Sequence, residues 1–171
     1  RFLSDDEREI LLVACKQSQT PYLYPLVVLA LSTGARRGEL LGLTWGDIDL
    51  KRKVAILHKT KNDERRALPL AGHALDCVNK LAEVRRIDTN LLFPDETGKK
   101  PVEIRPAWER VLKEAGIEDF KFHDLRHSAA SYLAMNGASL AEIAEVLGHK
   151  TLQMVKRYSH LSEQHTADVV S

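Results

Sequence analysis

The chain has 171 residues, 44% apolar and 29% charged, which suits one globular domain with a substantial core. A net charge of +1 excludes a simple polycation, and no apolar run approaches the roughly 20 residues a helix needs to cross a bilayer. Cys15 and Cys77 stand singly, without CxxC spacing, which favours reduced core thiols and a reducing cytoplasm over a disulfide or a metal site.

The chain opens at Arg1 without an initiating Met or a signal-peptide pattern, as a piece of something longer would. Ser4-Asp5-Asp6-Glu7 reads as a capping box, and the stripe Ile10, Leu11, Ala14, Cys15 carries a first helix to about Lys16. Pro21 and Pro25 open a second helix, apolar almost all round, that Gly34 ends. Arg36 to Leu43 reads as a short helix with Leu40, Leu41 and Leu43 turned inward, and Trp45-Gly46-Asp47 as a turn. Val54 to Leu57 and Arg66 to Leu70 read as two strands joined by the polar stretch Lys59 to Glu64. Around that hairpin, Lys51 to Arg66 holds seven Lys/Arg against two acids, which suits either a solvated hairpin or a phosphate-facing loop. Gly72 to Arg86 is an amphipathic helix and Thr89 to Pro101 a loop. Pro106 sits in the first turn of a helix that Gly116 stops, and a further helix runs from His123 to Asn136, stopped by Gly137. Ser139-Leu140-Ala141-Glu142 is a second capping box, opening a helix closed by Gly148, and Thr151 caps a last helix that carries Tyr158. The sum is a mainly α domain with a small antiparallel β-sheet, an α+β fold over residues 1–171 without repeat or linker.

Several polar residues are not explained by this core. Arg36 follows a helix-ending Gly at the start of a helix, where the dipole favours acids, so it is either held for an anion, beside helix N–H groups, or paired on the surface with Glu39. Lys61, at the hairpin tip, is either solvated or a swinging proton donor. His123 and His127 stand at i and i+4, but the HExxH glutamate and a third ligand are missing, which argues against zinc. Alternatively, His123 and Arg126 share a face one turn apart and offer a proton acceptor and a bidentate fork to one phosphate, while His127 packs or caps. His149, in a loop after Gly148, and Tyr158, nine residues later, would each read singly as surface and core.

In order and spacing, these residues resemble the catalytic domain of the tyrosine recombinases, the phage-integrase and Xer-like enzymes. Thr33-Gly34-Ala35-Arg36-Arg37-Gly38-Glu39-Leu40 is similar to the TGxRxxEL segment of that family, and Lys61 stands eight residues before Pro69 as the hairpin lysine does there. His123-Asp124-Leu125-Arg126-His127 is similar to the HxLRH box; Leu147-Gly148-His149 and Tyr158-Ser159-His160 complete the series. The resemblance implies that Tyr158 attacks a DNA phosphate, Arg36 and Arg126 grip its non-bridging oxygens, and Lys61 protonates the leaving 5′-oxygen. It further implies that His123 helps remove the Tyr158 proton, His149 hydrogen-bonds the phosphate, and Glu39 orients the arginines or histidines. No cofactor and no metal is called for.

The activity so implied is site-specific cleavage and rejoining of DNA strands through a 3′-phosphotyrosyl intermediate. The partners are double-stranded DNA, further copies in a synaptic tetramer, and accessory DNA-bending proteins, with no membrane. The setting is the cytoplasm of a bacterial or phage-infected cell, at the nucleoid. An N-terminal DNA-clamping domain, present in full-length members, is absent from residues 1–171, so the chain reads as a fragment. Two alternatives stay open: strand relaxation of the type IB topoisomerase kind, and a non-enzymatic regulator in which Ser139 to Tyr158 forms a helix-turn-helix.

Overall fold

Ser4 and Glu7 exchange both hydrogen bonds of a capping box, Glu7 N to Ser4 Oγ and Ser4 N to Glu7 Oε1, each at 3.1 Å, and so start α1 (Asp5–Gln17). The structure is a computed structural model that describes residues 1–58 and 65–147. Lys61, His149, Tyr158, the stretch between the hairpin strands and the helix expected after Thr151 lie outside the described residues.

α2 (Leu23–Thr33) has Pro25 in its first turn, where a missing N–H costs no hydrogen bond. Its apolar character on every side matches its position: it packs against α1, α4 (Gly72–Glu83), α6 (Asp124–Met135) and the short α3 (Arg37–Leu41). Leu23, Leu26, Val27 and Leu29 are fully buried there. α5 (Arg105–Ala115), with Pro106 in its first turn, covers α1, and Gly116 ends it with a left-handed φ of 69°. Cys15 and Cys77 are free and buried within this main core, and burial pushes the Cys15 thiol up to about 12.

The sheet has three antiparallel strands rather than two, in the order β1 (Ile48–Asp49), β2 (Val54–Leu57), β3 (Arg66–Pro69). β1 is two residues long, too short for alternation to show in the sequence, and Trp45–Asp47 before it is a 3-10 turn. Ala55 pairs with Leu68, and Leu57 with Arg66, so the buried face carries Ala55, Leu57 and Leu68. α4 stops three residues before the expected Arg86, since Val84 and Ile87 find no core to enter. Arg86 instead leaves the helix to donate to Asp95 O at 2.7 Å and to Asp88 Oδ1 at 2.9 Å.

α7 (Leu140–Leu147) begins with the second capping box, Glu142 N to Ser139 Oγ and Ser139 N to Glu142 Oε1, each at 3.1 Å. It closes a small separate core with α6, formed by Ala130, Ala134, Ile143, Ala144 and Leu147. The observed architecture is the mainly α fold with a small antiparallel sheet that the sequence predicts.

Candidate active site

The turn between α2 and α3 is shaped by local hydrogen bonds. The buried Thr33 hydroxyl donates to Leu29 O at 2.7 Å and accepts from Ala35 N at 3.2 Å. Gly34 adopts φ +71°, and a Cβ at this position would collide with Leu147 Cδ2, so the site needs glycine for both conformation and space. Arg36 then takes an extended conformation, φ −73° and ψ 151°, as the residue preceding α3 rather than as its first member. Its backbone N–H donates to Glu39 Oε1 at 2.8 Å. That donor is therefore engaged within the protein, while the Arg36 guanidinium stays available to an anion. The Arg36 side chain is 38% exposed, with Nη1 at 4.0 Å from Glu39 Oε1, at the outer limit of an ion pair. The surface-pair reading of Arg36 and Glu39 thus describes a weak contact.

Arg126 comes to the same turn from α6. Its residue is only 4% exposed, and its guanidinium donates through Nη1 to Gly34 O at 2.6 Å and through Nη2 to Leu147 O at 2.5 Å. A planar fork can bridge two carbonyls in this way and a lysine ammonium cannot. The two oxygens orient the cation without neutralising it. Leu147 is the last described residue of α7, so Arg126 ties that helix to the α2–α3 turn.

His123 immediately precedes α6 and is exposed, one turn before Arg126. Its ring meets that of His127 edge-on, with centroids 5.5 Å apart, and His127 Nε2 lies 4.0 Å from Asp124 Oδ1. His127 is half-buried against these neighbours, in line with a packing role. Among the described residues no group of three or more His, Cys, Asp or Glu side chains is arranged to hold a metal ion.

Sequence reasoning passed over Arg66. Its guanidinium grips Glu39 with both terminal nitrogens, Nη1 to Oε2 at 3.2 Å and Nη2 to Oε1 at 3.3 Å. The two side chains are 11% and 9% exposed, so this ion pair is far better shielded from water than the contact of Glu39 with the Arg36 guanidinium. Glu39 thus contacts two arginines, Arg36 through the backbone N–H and Arg66 through the guanidinium. The signal was in the strand: alternation puts Arg66 on one face with the buried Leu68 and Leu70, an arginine on an otherwise apolar face.

Arg36, Glu39 and Arg126 thus converge on the α2–α3 turn, with His123 at the start of the helix that carries Arg126. Beside Glu39 opens a cleft of about 410 Å³ lined by Gly38, Leu43, Thr44 and His58, where His58 Nε2 lies 3.0 Å from Asp47 Oδ1. A cleft of about 440 Å³ lined by Tyr22, Arg86, Asp95 and Glu96 contains none of the candidate residues.

Residues 1–165 match the phage integrase family as a whole. The integrase of Salmonella phage P22 is 32% identical over 180 residues, covering 98% of this chain and 46% of that protein. The shufflon-specific DNA recombinase of Escherichia coli is 37% identical over 140 residues, covering 81% of this chain and 35% of that protein. Among solved structures, the catalytic domain of bacteriophage HP1 integrase superposes with a TM-score of 0.76 at 28% identity, covering 99% of this chain and 92% of that one. The chain spans about half the length, or less, of these two curated relatives. Motif order, the helical fold with its small sheet, and a match along almost the whole length agree, and the chain belongs to the phage integrase family of tyrosine recombinases.

Proposed function

We propose that this domain cleaves and rejoins DNA strands as the catalytic part of a site-specific recombinase. The observation that carries the reading is the convergence of two arginines on one turn. Arg126 is buried and held by Gly34 O and Leu147 O, and Arg36 projects a half-exposed guanidinium two residues beyond Gly34. Two cations at one turn, one of them held by two carbonyls, meet the demand of phosphoryl transfer, in which charge on the non-bridging oxygens must be stabilised.

In this reading the Tyr158 oxygen attacks the scissile phosphorus, forming a 3′-phosphotyrosyl bond as the bond to the 5′-oxygen breaks. An unperturbed phenol, with a pKa of about 10, is protonated at neutral pH, and His123 accepts its proton. Lys61 donates a proton to the departing 5′-oxygen, and His149 hydrogen-bonds the phosphate. Arg36 and Arg126 hold the non-bridging oxygens throughout. The intermediate keeps the energy of the broken bond, so a 5′-hydroxyl of another strand reverses the step, and a second round exchanges DNA partners. No metal or cofactor enters this scheme. The setting proposed is duplex DNA in the cytoplasm, at the nucleoid, in a synaptic tetramer with accessory DNA-bending proteins.

The test uses the intact protein and a pool of duplexes with a randomised core, nicked so that a short 5′-hydroxyl fragment is lost after cleavage. A covalent protein–DNA adduct is expected that survives EDTA and is absent in Tyr158→Phe. Absence of any adduct with the wild-type protein sinks the reading. With the captured sequence in hand, strand exchange between two sites should outrun relaxation of a supercoiled plasmid bearing one site; the reverse order would favour a topoisomerase.

A further inference from the structure

Arg66, on β3, is part-buried against Glu39, and nothing in the chemistry above uses it. We propose that Arg66 is a positioning residue for Arg36: it saturates the Glu39 carboxylate, so that Glu39 anchors the Arg36 backbone while the Arg36 guanidinium keeps its charge for the DNA phosphate. The inference rests on the phosphate-gripping role of Arg36 proposed above.

The geometry of Glu39 carries the argument. Oε2 accepts from Arg66 Nη1 at 3.2 Å, and Oε1 accepts from Arg66 Nη2 at 3.3 Å and from the Arg36 N–H at 2.8 Å. The Arg36 guanidinium stays at 4.0 Å. Arg66 and Glu39 are 11% and 9% exposed, so their attraction is weakly screened, whereas Arg36 is 38% exposed. Without Arg66, Glu39 would be a buried carboxylate lacking its partner, and among the described residues the cation left beside it is Arg36. The guanidinium would fold back by the small distance that now separates them, and both its charge and its position would be lost to the phosphate.

The placement of Arg66 also shows that packing alone did not select it. It stands on the buried face of β3, opposite Leu57 at the end of the described ladder. Its Nε is buried and has no hydrogen-bond partner among the described residues. A buried donor left without a partner is unfavourable, and the two-pronged contact with Glu39 is what the arginine supplies in return. A lysine would avoid the orphaned Nε–H but could not hold both carboxylate oxygens in this plane.

The experiment measures the single-turnover rate of adduct formation by the intact protein on the duplex captured above, synthesised in two forms. One carries the normal scissile phosphate; the other a methylphosphonate, in which a methyl group replaces one charged oxygen. Arg66→Ala is expected to slow the reaction by about 100-fold on the phosphate, the scale of a misplaced binding group, and far less on the methylphosphonate. Adding Glu39→Gln should restore most of the rate, since the amide oxygen still accepts the Arg36 N–H while the neutral group no longer draws in the guanidinium. If Arg66→Ala does not fold, Arg66→Lys is read by the same ratio between the two substrates. Equal losses on both substrates, a wild-type rate, or no recovery in the double variant would each overturn the proposal. A wild-type protein that forms no adduct on the phosphate sinks instead the cleavage reading, and this inference with it.

Discussion

α2 and α6 lie against each other, and each buries more than half of its residues, yet they are buried for different reasons. α2 is apolar on all sides and sits among four other helices; its burial follows from the transfer of leucine and valine side chains out of water. α6 takes Arg126, Ser128 and Ser131 into the interior, residues that such transfer would keep outside. Arg126 holds Gly34 O and Leu147 O, and Ser128 Oγ accepts the N–H of Leu3 at 3.1 Å. Two of these three buried polar residues have protein partners, and those of Arg126 lie at the α2–α3 turn and at the end of the described part of α7.

This contrast can be broken by substitution. Arg126→Lys keeps a charge but replaces the planar two-nitrogen fork with a single ammonium, and it should lower the rate of adduct formation by about 1,000-fold, measured on folded protein. A small effect would mean that the fork is structural and that α6 is no different from α2. Leu26→Ala, at a fully buried position of α2, should cost about 3 kcal/mol in denaturant unfolding while leaving the rate per folded molecule nearly unchanged. Ser128→Ala leaves the buried N–H of Leu3 without its acceptor and should cost about 1 kcal/mol. Ser131 Oγ is buried with no partner among the described residues, so Ser131→Ala should lie within about 0.5 kcal/mol of wild type or on the stabilising side. The two serines, three residues apart on one helix, would then separate polar burial that is used from polar burial that is not.

What could be read in the sequence was what is decided locally. Ser4, Ser139, Gly34 and Gly116 each bound a helix through hydrogen bonds or a backbone conformation reaching only a few residues, and the structure has those helices where these residues put them. Arg126 could be singled out as a candidate from its place in the HxLRH-like box, but not its own supports, because Gly34 O lies 92 positions before it and Leu147 O 21 after it. Arg66 was submerged in a run of basic residues that looked like a solvated hairpin. Its fork on Glu39 spans 27 positions, and it becomes visible once the register with Leu57 assigns it to the buried face. The sequence suggests Glu39 as a group that orients arginines or histidines but does not point to Arg66, since choosing between Arg36 and Arg66 requires knowing which guanidinium is turned inward.

The close approach of Leu147 to Gly34 has a consequence for chain length. α7 is eight residues long, capped by Ser139 at one end and seated at the other where the missing Cβ makes room. Each residue in a helix adds 1.5 Å of rise and about 100° of rotation. One inserted residue would carry the leucine off its seat and its carbonyl away from Arg126. The helix therefore fixes the count of residues between the Ser139 cap and the Leu147 seat. Its outward positions, Ala141, Glu142 and Glu145, are free to vary in kind, but the number of residues between the cap and the seat is not.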